Sequence, residues 1–187
     1  MKYGNLTLGQ VEAGINKIGG EEAFMRLLRD ELVICEAVAK KLLRFIRTIS
    51  LPAIGEFVAS EKFREGKTVD GIKIAWIGNN FKTNFLEKVE KPVSALETRE
   101  HELVAPARDP AIITELGGED KVETTLGQFW EFLKTADQTL VYVRHIRDVN
   151  DVLWAVRGRW DSGGLNAGTD SLGDPLGWDV GRRFLSR

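Results

Sequence analysis

The stretch TLVYVRHIRDVNDVLWAVRGRW, residues 139–160, contains two runs that are rich in β-branched and aromatic residues. Such residues favour strands because their side chains pack well on a pleated, half-buried surface. The two runs are separated by RDVND, residues 147–151, which is typical of a hairpin connection. The sequence therefore predicts an antiparallel hairpin here, followed by a further strand over 165–171.

Upstream of this hairpin, the sequence has more helical signals than strand signals. Thr7 precedes Gln10, and Thr125 precedes Gln128, in the capping-box pattern by which a helix start satisfies its free backbone N–H groups. Apolar spacing and turn residues predict the remaining elements. These are helices over 21–30, 33–47, 80–89 and 110–116, a strand over 72–77, and an exposed or edge strand over 95–104.

Together these elements predict an α+β fold in a single domain over residues 1–187. Residues 1–136 are expected to form a mainly helical scaffold with a short strand or two. Residues 137–187 are expected to form an antiparallel β region that closes the chain.

Composition and charge argue against several function classes. The 187 residues carry a formal net charge of −2, so no global attraction to nucleic acid or to an anionic membrane is expected. The N-terminus MKYGNLTLGQ has no apolar run, and no window approaches the about 18 apolar residues of a membrane span. The single cysteine, Cys35, cannot form an internal disulfide, which fits a reducing compartment. We expect a cytoplasmic protein without membrane or nucleic-acid partners.

Candidate catalytic and metal-binding groups are few. His101 and His145 have no partner at a motif spacing, so both are interpreted as ordinary surface or strand histidines. Cys35 lies in an apolar stretch, which favours a buried structural thiol over a nucleophile. The sequence has no Gly-rich phosphate loop, GxSxG or CxxC motif, and its Asp-containing tail meets no recognised calcium-loop spacing. We therefore expect no enzymatic activity, no cofactor and no metal site.

The tail from Trp154 to Arg187 contains no Lys, Glu or Gln, although Lys and Glu are the usual charged residues of exposed surfaces. All 12 lysines and all 17 glutamates lie at or before Lys134. Codons derived from AAC by randomising only the adenines can encode Arg, Gly, Asp, Ser, Leu, Ala, Thr and Asn, but not Lys, Glu, Gln, Met or Trp. The residues between the tail's tryptophans obey that restriction, so the composition is compatible with adenine-directed mutation.

Several segments resemble those of small uncharacterised bacterial proteins, many of them from candidate phyla. The segments are LTLGQVEAGINKIGG, GNNFKTNFLEKVE, PAIITELGGEDKVETTL, RDVNDVLWAVRGRW and DSLGDPLGWDVGRRFLSR. Those proteins keep the frame of the closing motif and vary between its fixed points, and in this they resemble the variable proteins of diversity-generating retroelements. In such systems, adenine-directed reverse transcription from a template repeat rewrites the 3′ end of a target gene. The resemblance implies a constant scaffold with a hypervariable surface for an unknown protein or other macromolecular ligand, and a C-type lectin-like fold as one architecture.

Carried over residue by residue, the resemblance implies two groups of positions in the tail. The frame positions are Trp154, Trp160, Ser171, Pro175, Trp178 and Ser186. The variable, ligand-binding positions are Arg157, Arg159, Asp161, Ser162, Asn166, Gly168, Asp170, Asp174, Leu176, Gly177, Asp179 and Arg182. Alternation along a strand suits this division, since one side packs while the other is free to vary. The alternative is a small cytoplasmic regulatory or interaction module that binds one fixed partner without diversification.

Overall fold

The structure of the protein is a computed structural model that describes residues 7–29, 31 and 41–187. The chain divides into two units, Met1–Lys40 and Lys41–Arg187. In the first unit, helix α1 (Leu8–Lys17) contacts helix α2 (Gly20–Leu28). The predicted capping box at the start of α1 is confirmed, because Thr7 N donates to Gln10 Oε1 at 2.9 Å and Thr7 Oγ1 accepts from Gln10 N at 3.3 Å.

The second unit consists mainly of strands. Its strands are β1 (Leu43–Leu51), β2 (Phe57–Val58), β3 (Thr68–Val69), β4 (Ile72–Ile77), β5 (Val89–Glu90), β6 (Leu96–Leu103), β7 (Glu123–Thr124), β8 (Val141–Arg147), β9 (Leu153–Asp161), β10 (Gly164–Ser171) and β11 (Arg183–Ser186). Its helices are α3 (Ala59–Lys62), α4 (Asn79–Phe85), α5 (Asp109–Glu115), α6 (Glu119–Val122) and α7 (Leu126–Leu133).

Nine of these strands form one mixed sheet. Eight follow the order β1-β6-β11-β8-β9-β10-β4-β3, and β7 pairs with β8 beyond the end of β11. The pairs β4·β10, β8·β11 and β7·β8 are parallel, and the other pairs of the sheet are antiparallel. Strands β2 and β5 form a separate antiparallel pair.

This sheet corrects the predicted fold class. A helical scaffold over 1–136 followed by a separate antiparallel region is wrong, because β1, β4 and β6 come from the first two thirds of the chain and join the sheet of the C-terminal strands. The C-terminal strands are also not purely antiparallel, since β8 and β10 each have a parallel neighbour. A mixed nine-stranded sheet with short helices replaces both the predicted α+β division and the C-type lectin-like alternative.

The predicted helix over 33–47 is wrong where the structure describes it, because β1 begins at Leu43. The arginines of this segment pair across the sheet instead of lining a helix: Arg44 donates to Glu102, and Arg47 Nε donates to Glu100 Oε2 at 2.7 Å. Cross-strand ion pairs of this kind are invisible in local apolar spacing. Residues 33–40, including Cys35, lie outside the described residues.

The strand predicted over 95–104 is confirmed as β6, but its expected position at an edge is wrong. Strand β6 is paired on both sides, with β1 and with β11. Its charged residues are accommodated there because Glu100, which is buried, has Arg47 and Arg183 as neighbours at 2.7 and 3.8 Å. The edge position belongs to β1.

The predicted hairpin over 139–160 and the predicted strand over 165–171 are confirmed as β8, β9 and β10. The β8–β9 turn is held by Asp148, whose Oδ1 accepts hydrogen bonds from Asn150 N at 2.8 Å and Val152 N at 2.9 Å. Its Oδ2 accepts the indole N–H of Trp154 at 3.0 Å. Local turn chemistry therefore fixes the register of the hairpin.

Helix α7 covers one face of the central strands. Its predicted capping box, Thr125 with Gln128, is confirmed. A second cap comes from the buried carboxylate of Glu90, which accepts from the N–H groups of Leu126 and Gly127 at 2.8 Å each. The phenylalanine, tryptophan and leucine side chains of α7 pack into the larger core, with Tyr142, Ile146, Val156 and Leu165 of the sheet. The opposite face of the sheet carries a smaller core and an open cleft.

Candidate ligand-binding face

Strand β9 separates its side chains between the two faces of the sheet. Trp154, Val156 and Trp160 belong to the larger core beneath α7. Arg157 and Arg159, which alternate with them, line an open cleft. The period of two along a strand produces this separation. Trp154 and Trp160, two of the predicted frame positions, thus pack on one face, and Arg157 and Arg159, which are predicted to vary, lie on the other.

Strand β10 repeats this arrangement beside β9. Leu165 and Ala167 are buried in the larger core, whereas Asn166, Gly168 and Asp170 line pockets on the open face. The antiparallel register places Asn166 opposite Arg159 and Gly168 opposite Arg157. The two strands together present a continuous surface of predicted variable positions.

The open face contains a cleft of about 410 Å³ between the sheet and the segment 172–182. Asp109, Val141 and Trp178 contribute to its lining. Its other lining residues are eight predicted variable positions: Arg157, Arg159, Asp170, Asp174, Leu176, Gly177, Asp179 and Arg182. Two further pockets, of about 280 and 240 Å³, adjoin it and share Arg157.

The other four predicted variable positions do not line the cleft itself. Asn166 lines the second pocket and Gly168 lines the third. Asp161 contacts Asn166, whose Nδ2 donates to Asp161 Oδ2 at 2.8 Å. Ser162 is exposed in the β9–β10 turn. We define the surface formed by the twelve positions as the variable face.

Two of these positions also have structural roles. Asp161 Oδ1 accepts the backbone N–H of Gly163 at 2.8 Å, and this bond together with that from Asn166 lowers the pKa of the Asp161 carboxyl. Gly177 has a φ of +66°, and a Cβ there would lie 2.8 Å from the carbonyl oxygen of Ala107. Both positions therefore constrain which side chains can replace them.

An ion pair crosses the middle of the variable face. Arg157 Nη1 lies 3.7 Å from Asp170 Oδ2, and the Arg157 side chain is 43% exposed. Burial raises the pKa of Asp170, Arg157 opposes that effect, and the carboxylates of Asp174 and Asp109 add to it. The Asp170 carboxylate in the cleft therefore has a positive neighbour, Arg157, but its Oδ2 has no hydrogen-bond partner among the described residues.

The base of the cleft is built around a buried carboxylate that sequence reasoning missed. Asp109 Oδ2 accepts the indole N–H of Trp178 at 2.9 Å, and its Oδ1 lies 2.8 Å from His145 Nε2. The backbone of Trp178 also pairs with Ala107, through N–H···O distances of 2.8 and 3.2 Å. These bonds hold Trp178 against the segment that leads into α5.

Both histidines lie on strands, as predicted, His101 on β6 and His145 on β8. His145 is fully buried and contacts Asp109. It does not line the cleft, and its Nδ1 has no hydrogen-bond partner among the described residues. His101 is half-buried with its Nε2 3.2 Å from Ser186 Oγ, and burial lowers the pKa of His101. Neither imidazole is placed to act on a molecule in the cleft.

The remaining predicted frame positions differ in their surroundings. Trp160 contacts Tyr142 edge-on with a centroid distance of 6.3 Å. Ser186 is buried beside His101. Ser171 and Pro175 are exposed, although Ser171 Oγ accepts the N–H of Gly173 at 3.3 Å.

Trp76 is a second residue that sequence reasoning missed. It lies on β4, is 44% exposed, and lines both smaller pockets. Strict alternation along IKIAWI would place Trp76 on the same face as the buried Ile72 and Ile74, but the pairing of β4 with β10 shifts register between Leu165 and Asn166, so that Trp76 pairs with Asn166 of the open face. A large exposed aromatic side chain beside arginines is typical of a binding surface.

No family model, curated protein or solved structure matches the chain. Among the described residues, no group of three or more His, Cys, Asp or Glu side chains is arranged to hold a metal ion. None of the described helices is long and apolar enough to cross a membrane.

Proposed function

We propose that this protein is a non-enzymatic ligand-binding protein whose variable face is rewritten by a diversity-generating retroelement. The observation that supports this most is the separation of side chains on β9 and β10. Ten of the twelve positions predicted to vary line one set of adjoining pockets, whereas Trp154 and Trp160 pack in the core on the other face. A surface that must accept many different side chains needs a backbone that is fixed by other residues.

The ligand that we propose is a protein or another macromolecule. Three adjoining open pockets form a broad surface rather than one enclosed cavity of the kind that holds a small substrate. The surface combines tryptophan and arginine, which are enriched among residues that dominate protein interfaces. A cytoplasmic location is part of this proposal, and the single cysteine of the chain supports it.

A binding module with one fixed partner is the second candidate, and a specific observation favours it. Asp161 and Gly177 are predicted to vary, yet both have structural roles. Asp161 accepts a hydrogen bond from the backbone of the β9–β10 turn, and Gly177 has a backbone conformation that favours glycine. A fixed-partner protein would keep both residues. A diversified protein could keep Gly177 with a codon that lacks adenine, but it could not keep Asp161 in this way, because both Asp codons contain an adenine.

The tolerance of the variable face can be tested in one combined variant. Arg159→Ser, Leu176→Ser and Asp179→Asn change three exposed side chains that the proposal treats as replaceable. Exposed substitutions change stability by about 0.5 kcal/mol or less each, so the melting temperature should stay within a few degrees of the wild type. The matched control is Val156→Ser, a single change on the packed face, which should lower it strongly. Loss of the folding transition in the combined variant would contradict the proposal.

A further inference from the structure

A row of side chains crosses four neighbouring strands on the variable face. The register pairs Val141 with Arg159, Arg159 with Asn166, and Asn166 with Trp76. Side chains that are paired in this way on one face stand close enough to contact the same molecule. The row therefore presents a guanidinium, an amide and an indole side by side.

These groups line a pocket of about 280 Å³, which we call the Trp76 pocket. It is formed by Trp76, Arg157, Arg159 and Asn166, with no carboxylate among its lining residues. Next to it, glycines make room for the larger side chains: a Cβ at Gly168 would lie 3.2 Å from Arg157 Nε, and one at Gly78 would lie 2.9 Å from the Trp76 ring. The pocket is thus cationic, and one of its walls is aromatic.

The cations of the Trp76 pocket are weakly compensated. Among the described residues, the Arg159 side chain has no hydrogen-bond or ion-pair partner, and the nearest carboxylate to Arg157 lies at 3.7 Å. The neighbouring cleft shares Arg157 and Arg159 with this pocket, but it is also lined by aspartates, among them Asp170, Asp174 and Asp179. A nucleic-acid backbone that entered the pocket would bring further phosphates against those aspartates. A single carboxylate would not.

We propose that the Trp76 pocket binds an aspartate or glutamate side chain on a segment of a partner protein, whose neighbouring apolar residue packs on the Trp76 indole. This inference rests on the proposed function and names the chemistry of its ligand. Guanidinium groups bind carboxylates through paired, charge-assisted hydrogen bonds, and tryptophan supplies a large rigid contact area. Trp76 lies outside the tail, so it anchors every version of the face, while positions 157 and 159 set the charge preference.

The experiment is a selection of peptides from a displayed random library on the full chain, followed by affinity measurements on the selected peptides. Arg159→Ser removes one positive charge, and Trp76→Ala removes the aromatic wall. Arg159→Lys keeps the charge but lacks the planar guanidinium that can donate two parallel hydrogen bonds to a carboxylate. Arg99→Ser is the matched control, because Arg99 is an exposed strand arginine that lines none of the three pockets. Each variant is first required to melt like the wild type.

We expect selected peptides that carry Asp or Glu beside an aromatic or aliphatic residue. Their affinity should fall by about 10-fold or more in Arg159→Ser and in Trp76→Ala, partly recover in Arg159→Lys, and stay unchanged in Arg99→Ser. Replacing the peptide carboxylate with its amide should weaken binding to the wild type but not to Arg159→Ser. That non-additivity is the signature of a direct contact.

Two other results would overturn the inference, and they differ in what they imply for the proposed function. If selected peptides lose affinity in Leu176→Ser but lack acidic residues or ignore Arg159→Ser, the face binds ligands and the Trp76 pocket has different chemistry. If no selected peptide responds to any substitution on the variable face, both the pocket and the ligand-binding function are contradicted.

Discussion

Asp109 and Trp178 lie 69 residues apart in the chain, yet the indole N–H donates a hydrogen bond of 2.9 Å to the Asp109 carboxylate at the base of the cleft. Both side chains are buried, at 3% and 8% exposed. The bond joins the start of α5 to the segment 172–182, which carries five of the predicted variable positions. The packing of that segment therefore depends on a residue outside the tail.

Removing this contact should destabilise the protein. Trp178→Phe keeps an aromatic ring but leaves Asp109 Oδ2 without its donor, which should cost about 1–3 kcal/mol in the free energy of unfolding. Trp178→Ala also removes packing against Phe184 and should cost about 3–5 kcal/mol. Denaturant unfolding measures both, with the exposed Trp76→Phe as control. Equal stability of Trp178→Ala and the wild type would remove Trp178 from the frame.

Gly177 and Gly168 should respond differently to the same small change. Gly177→Ala places a Cβ 2.8 Å from a backbone carbonyl at a φ of +66°, a strain that should cost on the order of 1–3 kcal/mol. Gly168→Ala meets only the flexible Arg157 side chain at 3.2 Å, so it should change stability much less. Thermal unfolding of the two variants gives the comparison. Comparable losses would mean that position 168 is as constrained as position 177.

Asp170 makes stability depend on pH in a defined direction. Burial raises the pKa of its carboxyl, so the native state binds this proton more tightly than the unfolded chain does. The protonated Asp170 carboxyl therefore stabilises the native state fully at a pH below its unfolded pKa of about 3.8. This stabilisation is lost as the pH rises through the raised pKa of the native state. We expect Asp170→Asn to be more stable than the wild type at pH 7, and the difference to vanish near pH 3.

Asp161 provides the contrasting case on the same face. Hydrogen bonds from Gly163 and Asn166 lower the pKa of the Asp161 carboxyl in the native state. The ionised carboxylate therefore stabilises the native state at neutral pH, and this stabilisation is lost as the pH falls through the lowered native pKa. Asp161→Asn should therefore be less stable than the wild type at pH 7. Melting curves of Asp170→Asn and Asp161→Asn across pH test both predictions together. If both substitutions changed stability in the same direction at pH 7, the causes assigned to the two pKa shifts would be contradicted.

Arg144 is a buried cation with few partners. Nη1 donates to Thr124 Oγ1 at 3.0 Å, whereas Nε and Nη2 have no hydrogen-bond partner among the described residues. Burial lowers the pKa of this guanidinium to about 9, with a further contribution from Arg187. Its charge should therefore disfavour the native state at neutral pH, an effect relieved only as the pH rises through about 9.

Replacing Arg144 with an apolar residue of similar length should accordingly stabilise the protein. We expect Arg144→Met to raise the free energy of unfolding at pH 7 by about 1 kcal/mol or more. Arg47→Met is the matched control and should have the opposite sign, because it removes the 2.7 Å partner of the buried Glu100. A large loss of stability in Arg144→Met would mean that the guanidinium is compensated in solution.

Local signals predicted the elements that local chemistry determines. The hairpin of β8 and β9 and the starts of α1 and α7 follow from turn and capping residues a few positions apart. The alternation of β9 and β10 likewise brought five of the twelve predicted variable positions to one face: Arg157, Arg159, Asn166, Gly168 and Asp170.

The errors concern features that depend on distant parts of the chain. Strand β1 has an apolar pattern that suits a helix, and its antiparallel pairing with the distant strand β6 along Leu43–Leu51 explains why it is extended. The parallel pairing of β4 with β10 brings Trp76 to the variable face, and no local pattern encodes that pairing. Asp109 and His145 are 36 residues apart at no motif spacing. Tertiary contacts of this kind override local propensity.

The central claim is that the tail is rewritten from a template, and sequencing the genomic region around the gene tests it most directly. We predict a near-copy of the codons for residues 155–187 beside a reverse-transcriptase gene, with mismatches almost only at the adenines of the copy. The mismatched codons should include those for Arg157 and Arg159, and the codons for Trp160 and Trp178 should match. Intact flanking sequence without such a copy would contradict the claim and favour a binding module with one fixed partner.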